Sequence, residues 1–456
     1  MAKSTAWLEP ALQYVQDWIG FQMRQSEQPG CAIAVHHAGK TVLDAAFGSA
    51  DLRTGEKLTP RHRFRVASHS KSFTAAAMLK LRERGLLKLD DAAGQFVSGL
   101  HPDVARATVA QLLSHSAGLT RDGVDAGYWQ GRAEFLNAAK LRAALRRPLV
   151  IDAATRLKYS NHGFGLAGMI IEAVSGQSYA DFVMREIVRP AGLKETVPDV
   201  PVPKGAKLAS GHSGKTLLGK RVIFPGGQST HALAAATGFI STAADLARFF
   251  AQLAPAAKTS VLRAESRREM TRPQWKDPHA PIETGYGLGI VTGTSSGWDW
   301  FGHSGGFQGY LTRTVMVPAR DITISVLTNA ADGTPAVWSD GVLHILARFA
   351  AGGAPTKRTR DWTGRWWSVW GATDLVPVGD RVLTAAPALA APLLKVTEIS
   401  VQGRDRARIS QAGAFGNFGE EVRRIRKGGK VRAVQLASTR LLPEVDMARE
   451  MKARYR

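Results

Sequence analysis

Ser68-His69-Ser70-Lys71 heads an Ala-rich run, and its spacing places a hydroxyl and an amine on one face of a helix. A serine hydroxyl is a weak nucleophile near neutral pH and needs a base close by. Lys71 can be that base only where its surroundings keep the amine neutral, as burial does. Serine also favours helix N-caps, and a chain of this length holds about one or two SxxK matches from composition alone. The tetrapeptide takes its meaning from what accompanies it.

Two further segments follow in order. Tyr159-Ser160-Asn161 stands directly before a Gly-rich helix start, with a helix expected around 165–175. A phenol can relay a proton, and an amide can orient a carbonyl or a lysine. Phe301-Gly-His-Ser-Gly-Gly-Phe307 leads into a hairpin, and glycines at a strand edge let backbone N–H groups approach a reacting carbonyl. Gly211-His-Ser-Gly-Lys-Thr216 repeats the His-Ser-Gly triplet and superficially resembles a phosphate loop. Ala209 stands where that loop needs its first glycine, and no strand leads in, so a surface loop is expected there.

Around these segments the periodicities sketch a fold. Leu8, Leu12, Val15, Ile19 and Met23 predict a helix over 7–26. Apolar runs at 31–37 and 41–47 flank the turn 38–40 and predict a hairpin. The helix headed by Ser68 is expected to run to Arg84 and stop at Gly85. Residues 90–230 read as helices and loops; a second hairpin joins 309–317 to 322–327, and a helix covers 334–350. Ala351-Gly-Gly-Ala-Pro-Thr-Lys-Arg-Thr-Arg360 reads as a linker. The expected organisation is a domain over 1–350, a linker over 351–360 and a small β-rich domain over 361–456.

Bulk properties exclude several classes. The 456 residues are 44% hydrophobic and 21% charged, ordinary for a globular protein. The single cysteine, Cys31, rules out an internal disulfide and reads as a small core residue. The stretch Met1–Pro10 lacks the apolar core of a secretory signal, and no 18-residue apolar run could span a bilayer, so a cytoplasmic chain is expected. The net charge is +22, and residues 357–456 carry 20 Lys+Arg against 10 Asp+Glu. The densest run, Arg423-Arg424-Ile425-Arg426-Lys427, has no aromatic interleaving; it reads as a solvated face, with no nucleic-acid partner expected. His69, His115 and His162 lack the spacing of metal ligands, and neither a metal nor a cofactor is expected.

In this order the motifs resemble the serine β-lactamase-like and penicillin-binding superfamily, in particular its class C β-lactamase, family VIII esterase and D-aminopeptidase branch. The likeness extends to Phe64-Arg-Val-Ala-Ser-His-Ser-Lys-Ser-Phe-Thr-Ala75, Leu112-Leu-Ser-His-Ser-Ala-Gly-Leu119, Lys158-Tyr-Ser-Asn-His-Gly-Phe164, Thr237-Gly-Phe-Ile-Ser-Thr-Ala-Ala-Asp-Leu246 and Tyr286-Gly-Leu-Gly289. The resemblance implies an α/β (α+β) fold: an antiparallel sheet flanked by helices with an all-helical insert, followed by a small barrel-like β domain. It also implies acyl transfer to Ser68, with Lys71 and Tyr159 as catalytic residues and the choice of base between them left open. Asn161, His303, Ser304, Gly305 and Gly306 would bind substrate, and the N–H groups of Ser68 and Gly306 would hold an oxyanion.

Two positions depart from the family pattern. Ala153-Ala154 stand where a Pro-Gly usually precedes the Tyr motif. His303 stands where β-lactamases and DD-peptidases usually carry a lysine that binds a substrate carboxylate. A histidine of ordinary pKa, about 6.5, is mostly neutral at pH 7. The expected activity is therefore hydrolysis of a small ester, amide or short peptide, with any acidic substrate bound better below about pH 6.5. β-Lactamase or DD-peptidase activity, acyl transfer and a non-catalytic acyl sensor are the alternatives.

Overall fold

The computed structural model describes residues 5–224, 226–276, 284–413 and 417–455; the first four residues of the stretch read for a signal lie outside these. The chain forms two compact units, one of Gln28–Ser339 and one of Met1–Glu27 with Asp340–Arg456.

The larger unit is built on one antiparallel sheet. Its strands are β1 (Gly30–His37), β2 (Lys40–Asp51), β3 (Glu56–Lys57), β4 (Trp275–Lys276), β5 (Thr284–Tyr286), β6 (Val291–Ser295), β7 (Trp298–Phe307), β8 (Tyr310–Val317) and β9 (Ile322–Thr328). The order is β3-β2-β1-β9-β8-β7-β6-β5-β4, so the chain's two predicted hairpins meet at the centre, with Cys31 opposite Thr328 and His37 opposite Ile322. Every residue of β9 is buried, and so are Cys31, Ala32, Ile33, Ala34 and Val35 of β1. Cys31–Val35 reads as the unbroken apolar run expected of a strand covered on both faces, whereas β9 buries Thr323, Ser325 and Thr328 among its apolar residues. Burial pushes the Cys31 thiol above its ordinary pKa, which leaves it a core side chain.

Helix α2 (Ser70–Glu83) threads the core beside this sheet. Residues 70–79 are all buried, on every face of the helix. Its hydroxyls anchor it on opposite sides: Ser72 Oγ donates to Gly289 O at 2.7 Å and Thr74 Oγ1 to Ala235 O at 2.6 Å. Helix α3 (Asn161–Ser175) is capped by Ser160, whose Oγ accepts from Gly163 N at 2.9 Å, and ends on Gly176 in the left-handed region. Helix α4 (Ala243–Gln252) lays Leu246, Phe249 and Phe250 into the core against β1, β8 and β9.

Gly211-His212 corrects the expected surface loop. The pair forms a short strand with Ile223–Phe224, and His212 is fully buried, with Nδ1 2.9 Å from Asn329 O and Nε2 accepting from Leu52 N at 3.2 Å. Only Lys215–Lys220, the turn beyond it, is exposed throughout.

The smaller unit contains helix α1 (Leu8–Gln25), most of helix α5 (Pro335–Gly352) and an eight-stranded meander. The strands are β10 (Gly364–Ser368), β11 (Gly371–Val378), β12 (Arg381–Ala385), β13 (Glu398–Val401), β14 (Arg406–Gln411), β15 (Glu421–Lys427), β16 (Lys430–Leu436) and β17 (Thr439–Leu441), hydrogen-bonded in sequence order. Trp367 and Leu442 exchange backbone hydrogen bonds of 2.7 and 2.9 Å, which closes the sheet on itself and leaves little open edge. Trp362, Leu375, Val382, Ile399, Ala407, Val422 and Val434 fill the interior. Helix α1 joins this unit through Trp18 Nε1, which donates to Leu389 O at 3.2 Å, and Phe21, whose ring lies 5.9 Å from that of Trp367. A terminal helix, α6 (Glu444–Arg454), follows the meander and was not read from the sequence. The basic run at 423–427 does not form one face. Arg424 turns inward over the Trp362 ring at 4.4 Å, and Arg426 pairs with Asp405 at 2.8 Å.

Among the described residues, no helix is long and apolar enough to cross a membrane.

Candidate active site

The residues singled out by the sequence converge in the larger unit. Ser68 lies in the 3-10 turn Ala67–His69 that runs into α2. Ala67 holds a φ of +44°, an uncommon conformation for a residue with a side chain, and its neighbours fix it there. Val66 N donates to Phe239 O at 3.0 Å, and Ser70 Oγ accepts from Phe239 N at 2.9 Å. The His69 ring is buried behind the turn, with Nδ1 3.0 Å from Val66 O and Nε2 3.0 Å from Thr314 Oγ1. Ser68 itself stays partly exposed.

Lys71 is fully buried one turn along α2. Its Nζ lies 3.1 Å from Ser68 Oγ, 2.7 Å from Asn161 Oδ1 and 2.8 Å from Ala236 O. Desolvation drives its pKa well below the ordinary lysine value; the Asp122 carboxylate opposes this and the Arg121 guanidinium adds to it. Tyr159 Oη donates to Ser68 Oγ at 2.9 Å, and Lys71 Nζ sits 4.8 Å from the centre of its ring. Burial raises the Tyr159 pKa, so the phenol holds its proton. The two groups are pushed in opposite directions: the amine towards neutral and the phenol away from phenolate.

His115 braces Tyr159 from behind, with ring centroids 4.0 Å apart. It adopts a φ of +58°, and its Nδ1 accepts from Ser160 N at 3.1 Å. The strand β7 forms the opposite wall. Ser304 and Gly306 are exposed, whereas His303, Gly305 and Phe307 alternate onto the buried face. Gly305 has a steric reason: a Cβ there would lie 2.1 Å from Val66 O, so only glycine lets β7 pass this close to the turn carrying Ser68.

His303 is placed differently from a side chain that meets substrate. Its Nε2 lies 3.0 Å from Tyr286 Oη and its Nδ1 2.7 Å from Ser304 O, so both ring nitrogens are engaged within the protein. Burial, with His69 and Lys71 nearby, holds its pKa well below 6.5. The ring is therefore neutral on both sides of pH 6.5, and the pH dependence expected of it has no basis in this arrangement.

Asp122 was not read from the sequence. Its Oδ1 collects Asn161 Nδ2 at 2.7 Å, Trp129 Nε1 at 3.1 Å and Tyr128 Oη at 3.2 Å, while Arg121 Nε lies 3.2 Å from Oδ2. No local motif marks it, because its partners come together only in the folded chain. Among the described residues, no cluster of three or more His, Cys, Asp or Glu is arranged to hold a metal ion.

Taken together, these atoms can accept a proton from a hydroxyl and return it. A neutral amine has two N–H groups and one lone pair. Asn161 Oδ1 and Ala236 O can only accept, so they take both N–H groups and leave the lone pair facing Ser68 Oγ. An ammonium would instead donate to all three acceptors. Both protonation states are thus satisfied by the same geometry.

Protein flp of Staphylococcus aureus (strain MW2) is 28% identical over 188 residues, covering 40% of this chain and 38% of that relative. The chain therefore matches well under half the length of that curated relative. The octameric penicillin-binding protein homologue from Pyrococcus abyssi superposes with a TM-score of 0.67 at 25% identity, over 95% of this chain and 100% of that one. A D-stereospecific amidohydrolase from Streptomyces sp. superposes at 0.58 with 25% identity, over 70% of this chain and 94% of that one. The Beta-lactamase family model matches residues 15–347, which span the sheet, the helical insert and every residue of the site, and the chain belongs to that family.

Proposed function

We propose that the protein hydrolyses an ester or amide through an acyl-enzyme on Ser68. The observation that carries this reading is the buried Lys71 amine, 3.1 Å from Ser68 Oγ, with its two other partners able only to accept. Ser68 Oγ attacks the substrate carbonyl carbon as its proton passes to Lys71 Nζ, and the carbonyl π pair moves onto oxygen. Tyr159 acts as a phenol donating to Ser68 Oγ; Lys71 is the base. The backbone N–H groups of Ser68 and Gly306 receive the oxyanion. Collapse expels the alcohol or amine, which takes the proton from Lys71. Water then attacks the acyl-enzyme by the same proton path and releases the acid.

Asn161 holds Lys71, Ser304 and Gly306 line the open wall, Gly305 lets that wall approach, and His303 acts from behind through Tyr286 and Ser304. A neutral, enclosed His303 offers no fixed cation to a substrate carboxylate, which favours esters and amides over penicillins or peptidyl carboxylates. Similarity to a D-stereospecific amidohydrolase points to amides within that class. Turnover of p-nitrophenyl esters, D- and L-amino acid amides and a chromogenic cephalosporin tests this. The reading expects esters or amides to be turned over faster than the cephalosporin; turnover of the cephalosporin alone would contradict it. Product analysis with added amine or alcohol separates hydrolysis from acyl transfer.

A further inference from the structure

Lys71 can serve as a base only if Asn161 presents oxygen to it, and an amide can turn either way with little change of shape. We propose that Asp122 is a positioning residue that fixes this choice: its carboxylate holds the Asn161 amide with Nδ2 outward and Oδ1 towards Lys71. This rests on the reading of Ser68 and Lys71 as nucleophile and base.

Asn161 Nδ2 donates to Asp122 Oδ1 at 2.7 Å, and a carboxylate has no proton to give back. The amide cannot turn without setting Oδ1 against that carboxylate and Nδ2 against the Lys71 N–H groups. Two more donors, Trp129 Nε1 at 3.1 Å and Tyr128 Oη at 3.2 Å, pin the same oxygen. They belong to the 3-10 turn Gly127–Gln130, which is tied to the far wall: Gln308 Nε2 donates to Tyr128 O at 2.9 Å, and the Trp129 and Phe307 rings meet at 5.8 Å. The Asp122 side chain is only 11% exposed, so water competes little for it. The relay runs from the turn to Asp122, to Asn161, to Lys71, and ends at the lone pair facing Ser68.

Asp122 also acts through its charge. The charged and titratable groups facing Lys71 are Asp122 and Arg121 on one loop, Tyr159, His115, and His303 on β7. Asp122 is the acidic member of that set, and its field favours the ammonium form of Lys71. Removing the charge lowers the Lys71 pKa, so the pH at which acid silences the base also falls.

The test is the rate of covalent labelling of Ser68 by a fluorophosphonate, measured against pH in the full chain. Asp122→Asn lets the Asn161 amide turn; labelling at the pH plateau should slow by about tenfold to a hundredfold. Its acid limb should move to lower pH, and prolonged exposure should still label the full population. Asp122→Glu keeps the charge but shifts it, so its rate should fall while its acid limb stays near the parent's; it decides the matter if Asp122→Asn does not fold. Parental rates in the variants, or slowing with no movement of the Asp122→Asn limb, would overturn the inference while leaving the acyl-enzyme reading intact. An unlabelled parent would overturn that reading, and this inference with it.

Discussion

Lys71 is where sequence and chemistry meet most closely. The three-residue spacing from Ser68 gives the contact, and complete burial gives the shifted amine. Because the folded pKa is depressed, the base is lost only as pH falls through that lowered value. Labelling of Ser68 should therefore extend to lower pH than a lysine of ordinary pKa would allow, and decline on the acid side. Tyr159→Phe removes one donor to Ser68 Oγ but leaves the base, and should slow labelling by about tenfold to a hundredfold without moving the acid limb. Loss of the limb in that variant would assign the base to the phenol. His303 should not titrate near 6.5, so inhibition by an acidic ligand should not strengthen as pH falls through that value. Ser68, Lys71, Tyr159 and Asn161 were legible because short motifs carry them. Asp122 was not, because its contact with Asn161 spans 39 residues and depends on the fold. His303 was legible as a position, but its orientation was set by strand alternation and by Tyr286, which no motif states.

At the scale of elements, the site is a turn, two helices and a strand edge brought to contact distance. Gly305 and Gly306 separate fit from freedom. Gly305→Ala puts a methyl 2.1 Å from Val66 O, and backbone cannot yield as a flexible side chain would. It should destabilise the unit by about 1–3 kcal/mol and displace the Ser68 turn. Gly306→Ala meets only Leu311 Cδ2 at 3.4 Å and retains its N–H, so its stability should stay within about 0.5 kcal/mol of the parent. Equilibrium unfolding in denaturant reads both. The first hairpin was legible as apolar runs about a turn, and α1 from its apolar period: predicted over 7–26, it runs Leu8–Gln25, while α2 ends at Glu83 beside the stop expected at Gly85. Gly211-His212 was missed because a two-residue strand has no period to detect. Its pairing is set by Ile223–Phe224 and by the Asn329 carbonyl.

For the whole molecule, buried neutral histidines couple the site to acid stability. His69 is fully buried, and its pKa is lowered to about 4 from 6.5. Above 6.5 both folded and unfolded states are neutral there. Between 6.5 and 4 the unfolded chain takes a proton that the folded one refuses, so stability falls across that window. The loss from His69 is about 3 kcal/mol. His115 and His303 are shifted in the same direction. Denaturant midpoints should therefore drop steeply from pH 7 to about pH 4, and less steeply in His69→Asn. An acid dependence identical in the variant would contradict this. The mixed fold and the β-rich tail were legible from the change of periodicity along the chain. That α1 joins the tail's unit was not, because the contacts of Trp18 and Phe21 with Leu389 and Trp367 link segments more than 300 residues apart.

The central claim is that Ser68 is the acylated nucleophile. Intact-mass and peptide mapping after exposure to an activated ester or fluorophosphonate, for the parent and for Ser68→Ala, tests it most directly. The account predicts one adduct on Ser68 in the parent and none in the variant. Full labelling of Ser68→Ala on another residue would contradict it.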